Sequence, residues 1–275
     1  MTQIATTPQN KTIEKFTATI EQYENKNLAE LLEGCNMTPA QFKQIIINEI
    51  NKSPNLQKAF LANPASLLAS VLTCAELQLN PSQIIGEFYF STQDNTILPI
   101  LGYKGLITLL MRSNKVKKIW TEVVYEGDDF EYELGLEPKL FHIPNHDAPR
   151  TADKIKFVYS CAKLDDEVIF NVMSKKEIKA IADMPKNPSL LYFNDIKNPE
   201  RWMERKTVLK QLAKLIPKSD DRVKKGIALD DNVEGGGYLV LDENDNVKLI
   251  QKTTVNKKSN IYDKLRNSSS ATLIE

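Results

Sequence analysis

Apolar residues recur at helical spacing in several parts of the chain. A first predicted helix opens at Thr38-Pro39 and a second at Asn63-Pro64, because proline suits the first helical position and the preceding polar residue can cap it. A capping box that begins at Ser174 predicts a third helix. These start signals are local, so they indicate where helices begin without saying how the helices pack.

A fourth predicted helix lies in the stretch 201–218 and ends at Pro217, which has no N–H to donate. Lys206, Lys210 and Lys214 are four residues apart and therefore form one ridge along it. The apolar residues form a stripe on another face: Trp202, Leu209, Leu212, Ala213 and Ile216. The helix is thus predicted to be amphipathic, with a basic ridge beside a core-facing stripe.

Between the second and third helices the pattern changes to that of strands. The predicted strands are 85–91, 97–101, 115–125, 130–134, 139–143, 154–164 and 168–173, with a short buried helix at 106–111. A late pair, 238–241 and 247–250, is also expected to form a hairpin. Helices, then strands, then a helix predict an α+β fold with a small, mostly antiparallel sheet packed against helices.

We expect the chain to divide into three regions. Residues 1–37 are predicted to be an N-terminal arm that is flexible or serves oligomerisation, and residues 38–229 to be the core. Residues 230–275, which include three consecutive glycines at 235–237, are predicted to be a flexible C-terminal tail available for partner binding.

Charge changes this picture through its distribution. The 275 residues include 36 basic and 36 acidic ones, so the net charge is zero and does not by itself suggest nucleic acid. The stretch 200–225 nevertheless carries nine basic and four acidic residues, and the stretch 100–120 carries five basic residues and no acidic one. A lone basic helix is usually a solvated face, but two such clusters favour a phosphate backbone as the partner.

Aromatic residues accompany the second basic cluster. Tyr103, Trp120 and Tyr125 lie in or beside it, and bases of single-stranded nucleic acid stack on such rings. Taken alone, each ring is more often a core residue. Lys117 and Lys118 are adjacent, so on a strand only one of them is expected to line a given groove.

The stretch 121–137 holds seven acidic residues and no basic one. Carboxylates can hold magnesium in a nuclease, although the spacing in Asp128–Glu131 is not a specific metal signature. A solvated hairpin, or an acidic patch that docks on a neighbour's basic patch, fits it better. His142 and His146 have a proline between them and no companion cysteines nearby, so we expect no zinc site.

Other motifs restrict the class of protein. Cys35, Cys74 and Cys161 are odd in number and far apart, which favours a reducing compartment, and we place the protein in the cytoplasm. No apolar run approaches the roughly 18 residues of a membrane helix. The chain has no GxxxxGK[ST] phosphate loop. We therefore expect no cofactor, no metal and no catalytic residue.

Five segments carry a family resemblance. They are PASLLASVLTCAELQLNP (64–81), GYKGLITLLMRS (102–113), VYEGDDFEYELG (124–135), VMSKKEI (172–178) and WMERKTVLKQLAKLIPKS (202–219). Each is moderately specific alone, but five in this order make a strong match. The chain resembles the RecT family of phage single-strand annealing proteins over roughly residues 40 to 230.

The resemblance implies ATP-independent annealing of complementary DNA strands in phage-type homologous recombination. It implies a long basic helix that lines a DNA groove, and self-assembly into rings or filaments. Single-stranded DNA, newly annealed duplex, a phage exonuclease and a host single-strand-binding protein are the expected partners, with no membrane among them.

The predicted DNA contacts combine the two basic clusters with the family's segments. They are Lys104, Arg112, Lys117, Lys118, Arg201, Arg205, Lys206, Lys210 and Lys214. Tyr103, Trp120 and Trp202 are candidates for base stacking. Two alternatives remain open: a metal-dependent nuclease that uses the acids of Asp128–Glu131, and a virion assembly protein.

Overall fold

A computed structural model describes residues 14, 17–18, 28–33, 35, 37–112, 115–165, 167–183, 191–216, 221–243 and 246–251. The helices are α1 (Ala29–Leu31), α2 (Pro39–Lys52), α3 (Pro54–Ala62), α4 (Pro64–Glu76), α5 (Tyr103–Arg112), α6 (Lys175–Ala182), α7 (Trp202–Leu215) and α8 (Asp221–Glu234). The strands are β1 (Phe88–Gln93), β2 (Thr96–Leu101), β3 (Lys118–Tyr125), β4 (Asp129–Glu133), β5 (Lys139–Ile143), β6 (Ile155–Lys163), β7 (Val168–Ser174), β8 (Tyr238–Leu241) and β9 (Val247–Ile250).

Local capping explains where several helices begin. The Thr38 side chain accepts from the backbone N–H of Gln41, whose own side chain accepts from the backbone of Thr38, so α2 opens on a full capping box. The side chain of Asn63 caps α4 in the same position before a proline. Sequence reasoning missed α3, although Ser53 before Pro54 caps it by the same device.

The strands pair only in antiparallel fashion within the described ranges. β1 pairs with β2 across Asp94 and Asn95, which both take positive φ as a tight hairpin turn requires. β3, β6 and β7 form a three-stranded sheet in that order, while β4–β5 and β8–β9 are separate hairpins. The predicted α+β fold and the predicted hairpin pairings are confirmed.

The three-stranded sheet lies between helix α7 and the β4–β5 hairpin. On one face, Val123 and Val158 pack with Val208 of α7. On the other face, the ring of Phe130 in the hairpin stacks on Tyr159 at a centroid distance of 5.7 Å. The edge strand β3 therefore carries residues that point alternately toward α7 and toward the hairpin.

The larger core gathers helices α2 to α5, α7 and α8 around the β1–β2 hairpin. Four members of the predicted apolar stripe of α7 are buried in it, namely Leu209, Leu212, Ala213 and Ile216. Trp202 is the exception, because 36% of its surface is exposed. The helix therefore buries its middle and keeps its first residue at the surface.

Described residues pack in the main core on the far side of both predicted region boundaries. The expected tail start at residue 230 falls inside α8, and Leu239 of β8 is only 3% exposed and belongs to the main core. Leu28 and Leu32, expected in the N-terminal arm, are buried in the same core. Within the expected arm and tail, residues 1–13, 15–16, 19–27, 34, 36, 244–245 and 252–275 lie outside the described residues.

In the part of the chain that the structure describes, no single helix has the length and apolar character needed to cross a membrane. The pair Pro54–Ala62 and Pro64–Glu76 passes that test only when taken together, and it bends by 112° at the break.

Candidate nucleic-acid interface

Two glycines set the start of helix α5. A Cβ atom at Gly102 would lie 2.2 Å from the carbonyl oxygen of Gly86, and one at Gly105 would lie 2.1 Å from that of Glu87. Only glycine permits this approach of the helix to the backbone at 86–87. The first turn of α5 contains no acidic residue, so no carboxylate from that turn lies beside its free backbone N–H groups.

An aromatic and cationic cluster forms where α5 and α7 begin. The rings of Tyr103 and Trp202 lie 5.3 Å apart between centroids, and the Lys104 ammonium lies 6.0 Å from the Trp202 ring. Lys104 is exposed and has no carboxylate partner among the described residues. We call these three residues the Trp202 surface. It combines an exposed ring with a positive charge, as base stacking beside a phosphate requires.

Arg201 positions the N-terminus of α7 from within the protein. The residue takes a positive φ of 60° and is only 3% exposed. Its guanidinium donates to the backbone carbonyls of Asn194 and Asn198 at 3.2 and 3.1 Å and pairs with Asp195. Asn198 in turn accepts from the backbone N–H of Trp202 at 2.6 Å. Arg201 therefore holds the loop that places Trp202.

Arg205 connects α7 to the edge strand β3. Its guanidinium donates to the backbone carbonyl of Thr121 and approaches the Glu122 carboxylate at 3.3 Å. Its Nε donates to the carbonyl of Glu200 at 3.1 Å. These bonds engage the guanidinium in fixing the helix to the sheet.

The basic ridge of α7 differs from its prediction. The ammonium of Lys206 lies 2.5 Å from Asp230, and that of Lys210 lies 3.1 Å from the same carboxylate. Lys210 also pairs with Glu234. Lys206 is 7% and Lys210 5% exposed, so the ridge is closed to solvent at these two lysines.

Helix α8 causes this burial by bringing its carboxylates over the ridge. Burial favours the protonated form of Asp230, but the charges of Lys206 and Lys210 outweigh it and hold the pKa of Asp230 below its usual value. Lys214, at the end of the ridge, stays 40% exposed and lies 3.4 Å from Asp231.

The second basic cluster is divided between structural and exposed roles. Arg112 donates to the backbone carbonyls of Leu77 and Gln78 at 3.0 and 2.7 Å, just beyond the C-terminal end of α4. Lys117 pairs with an exposed aspartate, Asp165, at 3.2 Å. The ammonium of Lys118 lies 5.3 Å from the Trp120 ring.

The whole arrangement lies within a segment that matches a known family. The model of the RecT family matches residues 40–246. The chain belongs to the RecT family. Protein RecT of Escherichia coli (strain K12) is 28% identical over 236 residues, which cover 76% of this chain and 82% of that protein. The family recognised in five sequence segments is confirmed, and with it the assignment to DNA-binding, single-strand annealing proteins of DNA recombination.

One aspartate of the acidic stretch in this RecT chain, Asp128, holds the β4–β5 hairpin in place through hydrogen bonds. The side chain of Asp128 is buried and accepts from the backbone N–H groups of Tyr125 and Asn145, both at 2.8 Å. Arg150 approaches it at 2.9 Å and His142 at 3.2 Å. Burial alone would raise the pKa of Asp128, but these bonds and the arginine charge hold it below its usual value. Over the described ranges, no group of three or more potential ligands has a metal-site arrangement.

The predicted site residues of this RecT chain thus form two surfaces and a scaffold. Tyr103, Lys104 and Trp202 come together, and Lys118 lies with Trp120 on the sheet. The scaffold consists of Arg112, Arg201, Arg205, Lys206 and Lys210. Sequence reasoning did not single out Phe170 or Lys163, which share the face of Trp120. The strand register supplies that signal, since Cys161 lies opposite both Trp120 and Phe170.

Proposed function

We propose that this protein binds single-stranded DNA at the Trp202 surface and anneals complementary strands without ATP, as an oligomer. The observation that carries the proposal is the partly exposed Trp202 ring, packed at 5.3 Å against Tyr103 and faced by Lys104, which has no carboxylate partner where the structure describes the chain. An exposed tryptophan is a stacking platform for any base. A lysine beside it can neutralise the adjoining phosphate.

Annealing needs no hydrolysis of a nucleotide because pairing and stacking supply about 1.4 kcal/mol per base step. The protein's contribution is to hold a strand extended and to reduce the repulsion between two phosphate backbones. Contacts to phosphate and stacking on any base carry no sequence information, so binding is expected to be independent of sequence.

The phosphate contacts come from lysines whose ammonium groups are at the surface. Lys104, Lys117 and Lys214 fit this role, whereas Lys206 and Lys210 stabilise the contact between α7 and α8. This revises the predicted DNA contacts, because a buried ammonium that is shared among carboxylates has little attraction left for a phosphate.

The β4–β5 hairpin supports self-assembly. Its outer side exposes 52% of Phe141 and 53% of Ile143, and the loop at its tip exposes 74% of Leu134. Asp129 and Glu131 share this outer side, as the strand register shows. An apolar surface with acidic neighbours suits docking on a basic surface of a second copy. A phage exonuclease and a host single-strand-binding protein complete the proposed partners, in the cytoplasm.

Two complementary fluorescent oligonucleotides, added one after the other with chelator present and ATP absent, test the annealing function. We expect pairing faster than the spontaneous rate, and slower pairing with Trp202→Ala than with Trp202→Phe. Intact, unbound oligonucleotides with no acceleration would refute the proposal and favour an assembly protein. Cleavage that disappears with chelator would instead point to a nuclease.

A further inference from the structure

One row of side chains crosses the three-stranded sheet on the face away from α7. Trp120 lies opposite Cys161, which lies opposite Phe170, so the three share one face. The two aromatic residues are two strand spacings apart, about 10 Å. Cys161 is buried, while Trp120 and Phe170 are partly exposed. Both rings pack over Cys161, and their exposed parts form an aromatic surface on this face.

The β4–β5 hairpin covers only the other end of this face. Phe130 lies 5.5 Å from Phe157 and 5.7 Å from Tyr159, measured between ring centroids. His142 lies 3.2 Å from the Tyr159 hydroxyl. The hairpin therefore leaves the row of Trp120 and Phe170 open to a ligand, and its own contacts hold the other end of this sheet face in place.

The next row on the same face places two lysines directly opposite each other. Lys118 pairs in register with Lys163, and both side chains are exposed. Like charges opposed on neighbouring strands are destabilising. In the described part of the chain neither lysine has a carboxylate partner, and Lys118 leans over the Trp120 ring at 5.3 Å. An anion held between the two ammonium groups removes this repulsion.

We infer that Lys118, Trp120, Lys163 and Phe170, the lysine–aromatic face, form a second binding site for single-stranded DNA. Bases stack on Trp120 and Phe170, and a backbone phosphate lies between Lys118 and Lys163. A single strand fits and a duplex does not, because a duplex hides the faces of its bases. The choice of DNA as the ligand rests on the proposed function.

This site is separate from the Trp202 surface. Trp120 lies on the sheet face that the β4–β5 hairpin covers in part. Val123 is three residues further along the same strand, so it lies on the other face, where it packs on Val208 of α7. Trp202 begins α7 on the opposite side of that strand. A protomer with two such sites can contact single-stranded DNA on both sides of the sheet.

Trp120 and Trp202 are the only tryptophans in the sequence, so the fluorescence of each can report on its own site. The full-length variant Trp202→Phe keeps Trp120 as its sole tryptophan, and Trp120→Phe keeps Trp202. Each is titrated with oligo-dT while tryptophan fluorescence is followed. We expect quenching in both proteins. In the Trp202→Phe background, Phe170→Ala should weaken the affinity that Trp120 reports by about five-fold or more.

Charge variants keep the test independent of core packing. Lys118→Gln with Lys163→Gln should weaken the quenching of Trp120, and the control Lys176→Gln with Lys179→Gln, on the exposed side of α6, should not. If oligo-dT quenches Trp202 but not Trp120, this inference is overturned and the proposed function stands. If oligo-dT quenches neither tryptophan, both the inference and the proposed function are overturned. A Trp120 signal that responds to protein concentration but not to oligo-dT assigns the face to a protein contact and also overturns the inference.

Discussion

Lys206 and Asp230 form an ion pair of 2.5 Å between α7 and α8, with side chains only 9% and 3% exposed. The Lys210 ammonium, also from α7, lies 3.1 Å from the same Asp230 carboxylate. A buried pair is costly to assemble, but it is more costly to break, because one charge is then left without water or a partner. The pair fixes α8 on the helix that presents Trp202.

Replacing Asp230 tests this structural role. Of the carboxylates that the structure describes, Asp230→Ala leaves Lys206 with none closer than Glu234 at 4.0 Å, and we expect the free energy of unfolding to fall by about 3–5 kcal/mol. Asp221→Ala on the same helix is the control, because that side chain is 93% exposed and should change stability by about 0.5 kcal/mol or less. Urea denaturation measures both. Equal, small effects would contradict a structural role for the pair.

Removing the charge of Lys104 should alter the salt dependence of DNA binding. Lys104→Gln is expected to reduce the slope of log affinity against log salt by about 0.7 for a single strand, the value of one phosphate contact. Lys179→Gln, at an exposed position on α6, should leave the slope unchanged. Titrations of labelled oligo-dT at several salt concentrations provide the slopes. An unchanged slope for Lys104→Gln would remove it from the interface.

Shortening Trp202 should weaken binding without unfolding the protein. Trp202→Ala removes a stacking platform worth about 1–3 kcal/mol, or about five- to 150-fold in affinity. Trp202→Phe keeps an aromatic face and should retain most of the affinity. Because the ring also packs on Tyr103, its truncation is expected to lower stability as well as affinity. Fluorescence anisotropy with labelled oligo-dT, beside thermal unfolding, separates the two effects; equal affinities for Ala and Phe would rule out stacking.

The buried carboxylate of Asp128 should give a defined pH dependence of stability. Its pKa is lowered in the folded chain, so the folded state binds this proton less tightly than the unfolded state does. Its stabilising contribution is complete above the unfolded value of about 3.9 and is lost as pH falls through the lowered folded value. His142, Arg150 and Tyr159 are the other titratable groups in this network.

Urea unfolding of the natural protein and of Asp128→Asn from pH 7 to below pH 3 checks this dependence. We expect the natural protein to be more stable at neutral pH and the difference to shrink only in the acidic window. Asp147→Asn is the control, since that residue is exposed. A difference that stays constant with pH would show that Asp128 acts through packing alone.

Local signals predicted much of the fold. The capping boxes at Thr38 and Ser174 lie within four residues of each helix start, so the information needed is contained in short segments. The hairpins were predictable for the same reason, because alternation and turn residues are local. Helix α3 was missed because only one residue, Ser53, separates it from α2, although this capping serine is visible in the sequence.

The candidate site was predictable in composition and less so in arrangement. Trp202 and Lys104 are 98 positions apart, yet the family segments and the two basic clusters already pointed to both. Which lysines remain open could not be read from the spacing of α7. The answer depends on Asp230 and Glu234, whose approach is decided by how α8 packs.

The sequence alone determined the family, the α+β class, the starts of the capped helices and the presence of two basic clusters with aromatic residues among them. These follow from short-range spacing and residue type. The tertiary structure decided which charges are neutralised and which face outward. Burial of Lys206 against Asp230, and the register that opposes Lys118 to Lys163, join residues distant in sequence. Whether a lysine is free to meet a phosphate depends on such neighbours, because a carboxylate that is buried with the ammonium takes up its charge, whereas an exposed pair is weakened by water.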